Sequence, residues 1–400
     1  MKSAYKSILS HLQNKSVVST HAHHREDAFH STLTLTSLFA HSYVNWCGVP
    51  VGDTPAEHKD FLDKVRYKSY FVWLEKALQQ LYGFSEPITA ENWTAISGRI
   101  ATAHRNPEHH LAVMREQCGY RKVILDAYWN PGDHNGHPDL FTPTFRVDAF
   151  FSGYDPAKPD HDGVLLKDLF GQQPPDNPED FSQWMDRIIR DKKASGCVAL
   201  KCAIAYERDL LFHPATETDA AAAFERSESG PSAKAVRQYQ DWLFHEVCRM
   251  AAKNNLPLQI HTGLGQLYGT RPLALLETIR VHPQTRFVLF HCGFPWTNDI
   301  NALLHACPNV YPDLCWVPLL SPTAATQVIR ELVEIGTADK LCWGCDTWTA
   351  EESLGARMAL NHTLSRALGS LVKENYFSLE DAFAVADNIL SRNAAALYGI

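Results

Sequence analysis

The chain has 400 residues, 45% hydrophobic and 20% charged, with a formal net charge of −8. That balance excludes a mostly disordered chain, and the length suits one large α/β barrel with insertions or two ordinary domains. The acidic charge excludes a basic grip on nucleic acid or anionic lipid, and no apolar run approaches the roughly 20 residues of a membrane span. The opening MKSAYKSILSHLQNK lacks the apolar core of a secretory leader, so a cytoplasmic protein is expected. A small-molecule substrate fits this profile, with no nucleic-acid or membrane partner and with homo-oligomers compatible.

Short apolar runs recur along the chain, each ending in a polar residue and followed by a helix-like stretch. They span Ser16–His21, Lys122–Asp126, Phe145–Asp148, Cys197–Lys201, Leu256–His261, Phe287–His291, Asn309–Asp313 and Leu341–Asp346. Strands alternating with helices predict parallel βα units, and eight of them predict a distorted (β/α)8 TIM barrel spanning 1–400 as a single domain. The largest surplus, 24–120, lies between strands one and two and is expected to be a helical insertion over the barrel mouth. There Tyr67, Tyr70, Leu74, Ala77 and Leu81 step at helical spacing. Val236, Tyr239, Leu243, Val247 and Met250 form a second such stripe, and Ala382, Val385, Ile389 and Leu397 a third. The third follows Ser378 and Asp381, a capping-box spelling, and GQQPPDNPED at 171–180 reads as a Pro-rich loop.

Ten cysteines are scattered through the chain, and Cys342 and Cys345 spell C-x-x-C. No second such pair completes a zinc site, and the motif ends an apolar run, so it reads as packing. The twenty histidines are the unusual feature of the composition. Collected at the predicted strand ends are His21, His23, Lys201, His261, His291 and Asp346. Residues i and i+2 of a strand point the same way, so His21 and His23 can share a metal. His24, His30, His104, His109 and His110 are expected to be loop or surface residues.

The set of His-x-His at 21–23, Lys201 in GCVALK, His261 in LQIHTGLG, His291 in VLFHCG and Asp346 in WGCD resembles the amidohydrolase superfamily. The branch resembled also holds uronate isomerases and aminocarboxymuconate semialdehyde decarboxylase. YFVWLEKALQQLYGF, ENWTAI and AYWNPG look like metal-dependent hydrolases of the barrel fold. The resemblance implies that His21, His23 and Asp346 hold one metal and that His261 and His291 hold a second. It also implies a carboxylated Lys201 bridging the two and Asp346 as the acceptor of the proton from water, with Asp346, Lys201 and His291 the catalytic groups. Imidazoles and a carboxylate suit Zn²⁺, with Mn²⁺, Fe²⁺ or Co²⁺ also accommodated. Relatives with one metal would leave Lys201 a plain ammonium or substrate ligand, and a lysine paired with Asp346 or Asp126 would hold one metal at most.

Arg146 and Arg208 could clamp a substrate carboxylate bidentately, and Tyr206, Trp129 and Asp313 sit in or beside loops where they could line a pocket. Tyr43 and Trp46 could bring the insertion down over the mouth. The expected activity is hydrolysis of an amide or other C–N bond in a small carboxylate-bearing molecule. The alternatives are a mononuclear decarboxylase or uronate-isomerase-like enzyme, and a barrel that binds without catalysis.

Overall fold

The computed structural model describes residues 2–225 and 230–400. The chain divides into two compact units. The first comprises Met1–Leu125, Asn135–Phe141 and Leu314–Ala395, and the second Asp126–His134, Thr142–Asp313 and Ala396–Ile400.

In the first unit, β1 (Val17–Ala22) is buried at every position and pairs in parallel with β2 (Tyr120–Leu125), Ser19 lying opposite Val123 and Ala22 opposite Leu125. Burial on both faces is what a covered parallel strand requires, and it explains why apolar Val17 and Val18 run together without alternating. The Val123 N–H donates to Leu140 O at 2.9 Å, just ahead of β3 (Phe141–Pro143), a short strand that the sequence does not announce. The eighth predicted strand, Leu341–Asp346, is not continuous strand: only Cys342 makes a bridge. Its backbone is nonetheless bonded on both sides. Thr20 N donates to Trp343 O (3.1 Å) and Asp346 N to His21 O (3.0 Å), while Leu314 N donates to Cys342 O (2.9 Å) and Trp316 N to Gly344 O (3.2 Å). Gly344 permits this closeness, since a Cβ there would stand 2.7 Å from His21 N and 2.9 Å from Thr20 Oγ1.

Between β1 and β2 lie the expected helices, including Pro55–Val65, Ser69–Tyr82, Trp93–Ala103 and His109–Ala112. The helix Ser69–Tyr82 buries Tyr70, Leu74 and Ala77 as the stripe predicts, but Tyr67 precedes it and is 90% exposed. It packs on the long helix Ala350–Lys373, where Gly355 lets the two backbones approach. At the C-terminal helix Leu379–Asp387, Ser378 and Asp381 form the predicted capping box.

The second unit carries a five-stranded parallel sheet in the order β4 (Phe145–Arg146), β5 (Leu200–Cys202), β6 (Leu258–Ile260), β7 (Phe287–Leu289) and β8 (Val310–Pro312). Its register sets Arg146 beside Lys201 and Lys201 beside Gln259. The helix Ala233–Lys253 buries Tyr239, Leu243, Val247 and Met250. The Pro-rich loop ends earlier than the sequence suggests, because Asn177 caps a helix that begins at Pro178. The nine described free cysteines are all buried, Cys342 and Cys345 among them, as the packing reading requires.

Candidate metal centre

In the first unit, β1 and the segment after it deliver His21 and His23 to the same place. The two Nε2 atoms lie 3.3 Å apart, and Asp346 Oδ1 is 3.5 Å from His21 Nε2 and 3.3 Å from His23 Nε2. All three side chains are buried. Asp346 has φ +56°, a left-handed conformation rare for a residue with a Cβ, and such strain persists where the surrounding structure enforces it. The enforcement is visible in the Asp346 N–H bond to His21 O and the His23 N–H bond to Thr347 O. The Tyr43 hydroxyl donates to Asp346 Oδ1 at 3.4 Å, and Tyr43 packs on Trp316 and Trp348 with centroids 4.7 and 4.3 Å away. Trp46 meets Tyr43 edge-on and remains 57% exposed.

In the second unit, His261 Nδ1 and His291 Nε2 lie 3.0 Å apart, one donating to the other. His291 is also left-handed, with φ +62°. Close packing fixes the loop after β6, where Gly263 has φ +85° and no room for a Cβ against Phe294 O. Tyr206 lies against His261, with ring centroids 4.4 Å apart. Lys201 is buried with Nζ 5.0 Å from the Phe290 ring centroid, and its charge is felt by Asp148. Burial pushes Asp148 up to about 6, against the pull of Arg146, His161 and Lys201. Asp148 accepts the Ala203 N–H at 2.8 Å.

Arg146 is engaged by protein carboxylates. Its Nη2 and Nε donate to Asp126 Oδ2 at 2.6 and 3.1 Å, Nη1 donates to Asp162, and Asp148 lies 3.7 Å away. Burial works against its charge, but Asp126, Asp162 and Asp148 outweigh it and hold Arg146 firmly protonated. Arg208 is likewise occupied, donating to Asp241 Oδ1 (2.7 Å), Gln240 Oε1 (3.3 Å) and the carbonyls of Asp209 and Leu211. Asp313 is fully buried, and Trp129 is half-buried against Tyr128.

The expectation that His24, His30, His104, His109 and His110 are loop or surface residues is overturned. His24, His30, His104 and His110 are each at most 2% exposed, and His109 is half-buried. His24 Nε2 and His110 Nδ1 are 2.9 Å apart, and His104 Nε2 is 2.7 Å from Glu351 Oε1, which also accepts the Tyr82 hydroxyl at 2.5 Å. The sequence sets these histidines at no shared periodicity, so nothing in it joined them.

Residues 167–400 match the amidohydrolase family model. Protein fluG of Emericella nidulans is 30% identical over 239 residues, which cover 55% of this chain and 28% of that protein. A uronate isomerase of Streptococcus uberis is 23% identical over 322 residues, covering 72% of this chain and 63% of the isomerase. The chain therefore spans less than two thirds of either curated relative. The crystal structure of a uronate isomerase from Thermotoga maritima superposes with a TM-score of 0.77 at 16% identity, over 99% of this chain and 97% of that one. At that identity the likeness speaks to the fold, an α/β fold of TIM-barrel type with a helical insertion between its first two strands. With its family match covering more than half its length, the chain belongs to the amidohydrolase family.

Proposed function

We propose that this chain is a metal-dependent hydrolase that cleaves an amide or other C–N bond in a small carboxylate-bearing molecule. The observation that carries the reading is the convergence of His21, His23 and Asp346, whose ligand atoms all lie within 4.8 Å of one another in a buried setting. Two imidazoles and one carboxylate form a borderline-soft N/O donor set that fits Zn²⁺, and Mn²⁺, Fe²⁺ or Co²⁺ as well. A divalent ion held by His21, His23 and Asp346 would supply Lewis acidity, able to polarise a carbonyl and to lower the pKa of water to roughly 7.

The chain's own groups do the rest. Asp346 is the carboxylate that would take a proton, and the Tyr43 hydroxyl donates to its Oδ1. In the second unit, His261 and His291 supply two further imidazoles, and Lys201 in its carboxylated form would add an anionic ligand for a second metal there. Tyr206, whose ring lies against that of His261, would line the substrate pocket together with Trp129 and Asp313. Arg146 and Arg208 have their donors committed to protein acceptors, so a substrate carboxylate would have to compete with Asp126 and Asp162 or with Asp241.

A second reading, isomerisation of a uronate using one metal, is favoured by the likeness to uronate isomerases over most of the chain. The zinc-loaded full chain, assayed for amine or ammonia release from N-acyl and amide-bearing carboxylates and for ketose formation from hexuronates, separates the two. Hydrolysis abolished by chelation and restored by zinc supports the proposal. Ketose formation with no C–N cleavage replaces it with the second reading.

A further inference from the structure

A second group of imidazoles in the first unit has the makings of a metal site with no ligand in common with His21, His23 and Asp346. His24 follows His23 directly, and in extended chain neighbouring side chains leave on opposite sides. The end of β1 therefore serves two clusters, His21 and His23 in one and His24 in the other. His24 meets His30, at the end of the short helix Asp27–His30, and His110, in the helix His109–Ala112. The rings of His30 and His110 are parallel with centroids 4.1 Å apart, and those of His24 and His30 stack at 4.5 Å. One ring nitrogen from each of the three falls within 4.8 Å of the others.

The hydrogen bonding is incomplete in a telling way. His30 is 1% exposed, yet neither of its ring nitrogens has a hydrogen-bond partner, and His24 Nδ1 has none either. A neutral imidazole always carries one N–H and one lone pair, so His30 leaves both a donor and an acceptor buried and unmatched. Each such group is costly to bury when nothing meets it. A cation accepting the His30 lone pair removes part of that cost and gives three imidazoles a reason to stack in a sealed pocket. Tetrahedral zinc, with Zn–N bonds of about 2.0–2.1 Å, needs nitrogens roughly 3.4 Å apart. The 2.9 Å separation of His24 Nε2 and His110 Nδ1 and the 4.8 Å limit on the trio bracket that value.

The outer partners have the arrangement such sites use. His110 turns Nδ1 toward His24, while its Nε2 lies 3.3 Å from Asp27 Oδ1 without a hydrogen bond between them, so that a carboxylate stands close behind the imidazole. Asp27 also takes His137 Nε2 at 2.9 Å. On the other side His104 stacks beyond His30 with centroids 5.9 Å apart and is held by Glu351.

We propose that His24, His30 and His110 bind a divalent cation of the zinc class, tying the end of β1 to the last helices of the insertion. The site is additional to the one assigned above, and its ligands come from stretches 86 residues apart. The bland alternative is a hydrogen-bonded His24–His110 pair with His30 as a packing ring.

Crystals of the wild-type full chain grown with Zn²⁺ test the proposal through an anomalous difference map at the zinc edge. A peak among His24, His30 and His110 is the expected result. A peak at His21, His23 and Asp346 with none at the trio would overturn this inference and leave the proposed activity standing. A peak at the trio alone would support this inference and count against that activity. In solution, His30→Phe keeps the stacked ring but not the ligand. It should lower bound zinc by one ion per chain at an unchanged far-UV circular dichroism spectrum, and an unchanged zinc content would contradict the site. Should the variant fail to fold, the wild-type map decides.

Discussion

Two adjacent glutamates at the start of the helix Ala350–Lys373 show how local surroundings divide identical side chains. Both are fully buried. Burial pushes Glu351 upward, but the His104 ring and the Tyr82 hydroxyl outweigh it and hold its carboxyl down at about 2. For Glu352 burial prevails over bonds from Thr349 and the Trp348 N–H, and its carboxyl is pushed up to about 8. Glu351→Gln should therefore destabilise the protein by about 1–3 kcal/mol, the usual cost of stranding buried polar partners. Glu352→Gln, which resembles the form already present at neutrality, should cost under about 1 kcal/mol at pH 6. The sign of the pH dependence follows. Between the usual glutamate value and about 8 the folded chain keeps a proton that the unfolded chain has lost, so Glu352 makes stability fall as pH rises. Glu352→Gln removes that slope and should gain on wild type by up to about 1.4 kcal/mol per pH unit toward pH 8. Denaturant melts at pH 6, 7 and 8 measure it, and a constant difference across the series would refute the assignment. The His-x-His pair was legible at this scale because a two-residue period puts both rings on one side. The left-handed backbone of His291 and Asp346 was not, since nothing in HCG or GCD distinguishes it from ordinary strand ends.

At the scale of elements, the alternation of apolar runs with helical stripes located seven of the eight predicted strands, the eighth being only a bridge at Cys342, yet it overstated strand length. The strands of the second unit are only two or three residues long. Past the strand ends polar side chains take up other partners, as Asp148 does in accepting the Ala203 N–H. Leu341–Asp346 carries strand-like bonding only because Gly344 lets the chains close. Gly344→Ala would drive a Cβ into His21 N, so we expect a loss of about 1–3 kcal/mol with weakened metal retention at His21 and His23. Thermal melts and metal analysis of the variant check this, and an unchanged Tm with full metal content would show that the contact relaxes freely. Arg146→Ala leaves Asp126, which is fully buried, without its cation, and should cost about 3–5 kcal/mol in a denaturant melt. A loss under about 1 kcal/mol would mean that Arg146 is held for substrate and not for the fold.

Over the whole molecule, the class of fold was legible in the order of elements, whereas the division into two units was not. The first unit gathers the chain's beginning and its last helices, and the second its middle. Contacts between stretches hundreds of residues apart, such as His21 with Asp346, leave no periodic trace in the sequence. A cation bound only by the folded chain stabilises it by mass action, about 4 kcal/mol at a thousandfold excess over Kd. Chelation should therefore lower Tm, and added zinc should restore it. The central claim is that His21, His23 and Asp346 hold a divalent metal, and paired metal analysis tests it most directly. Wild-type chain and a His21→Ala, His23→Ala double variant are purified from the same zinc-supplemented medium and shown to be folded. The account predicts at least one metal per chain fewer in the variant. Equal metal content in the two proteins would contradict it.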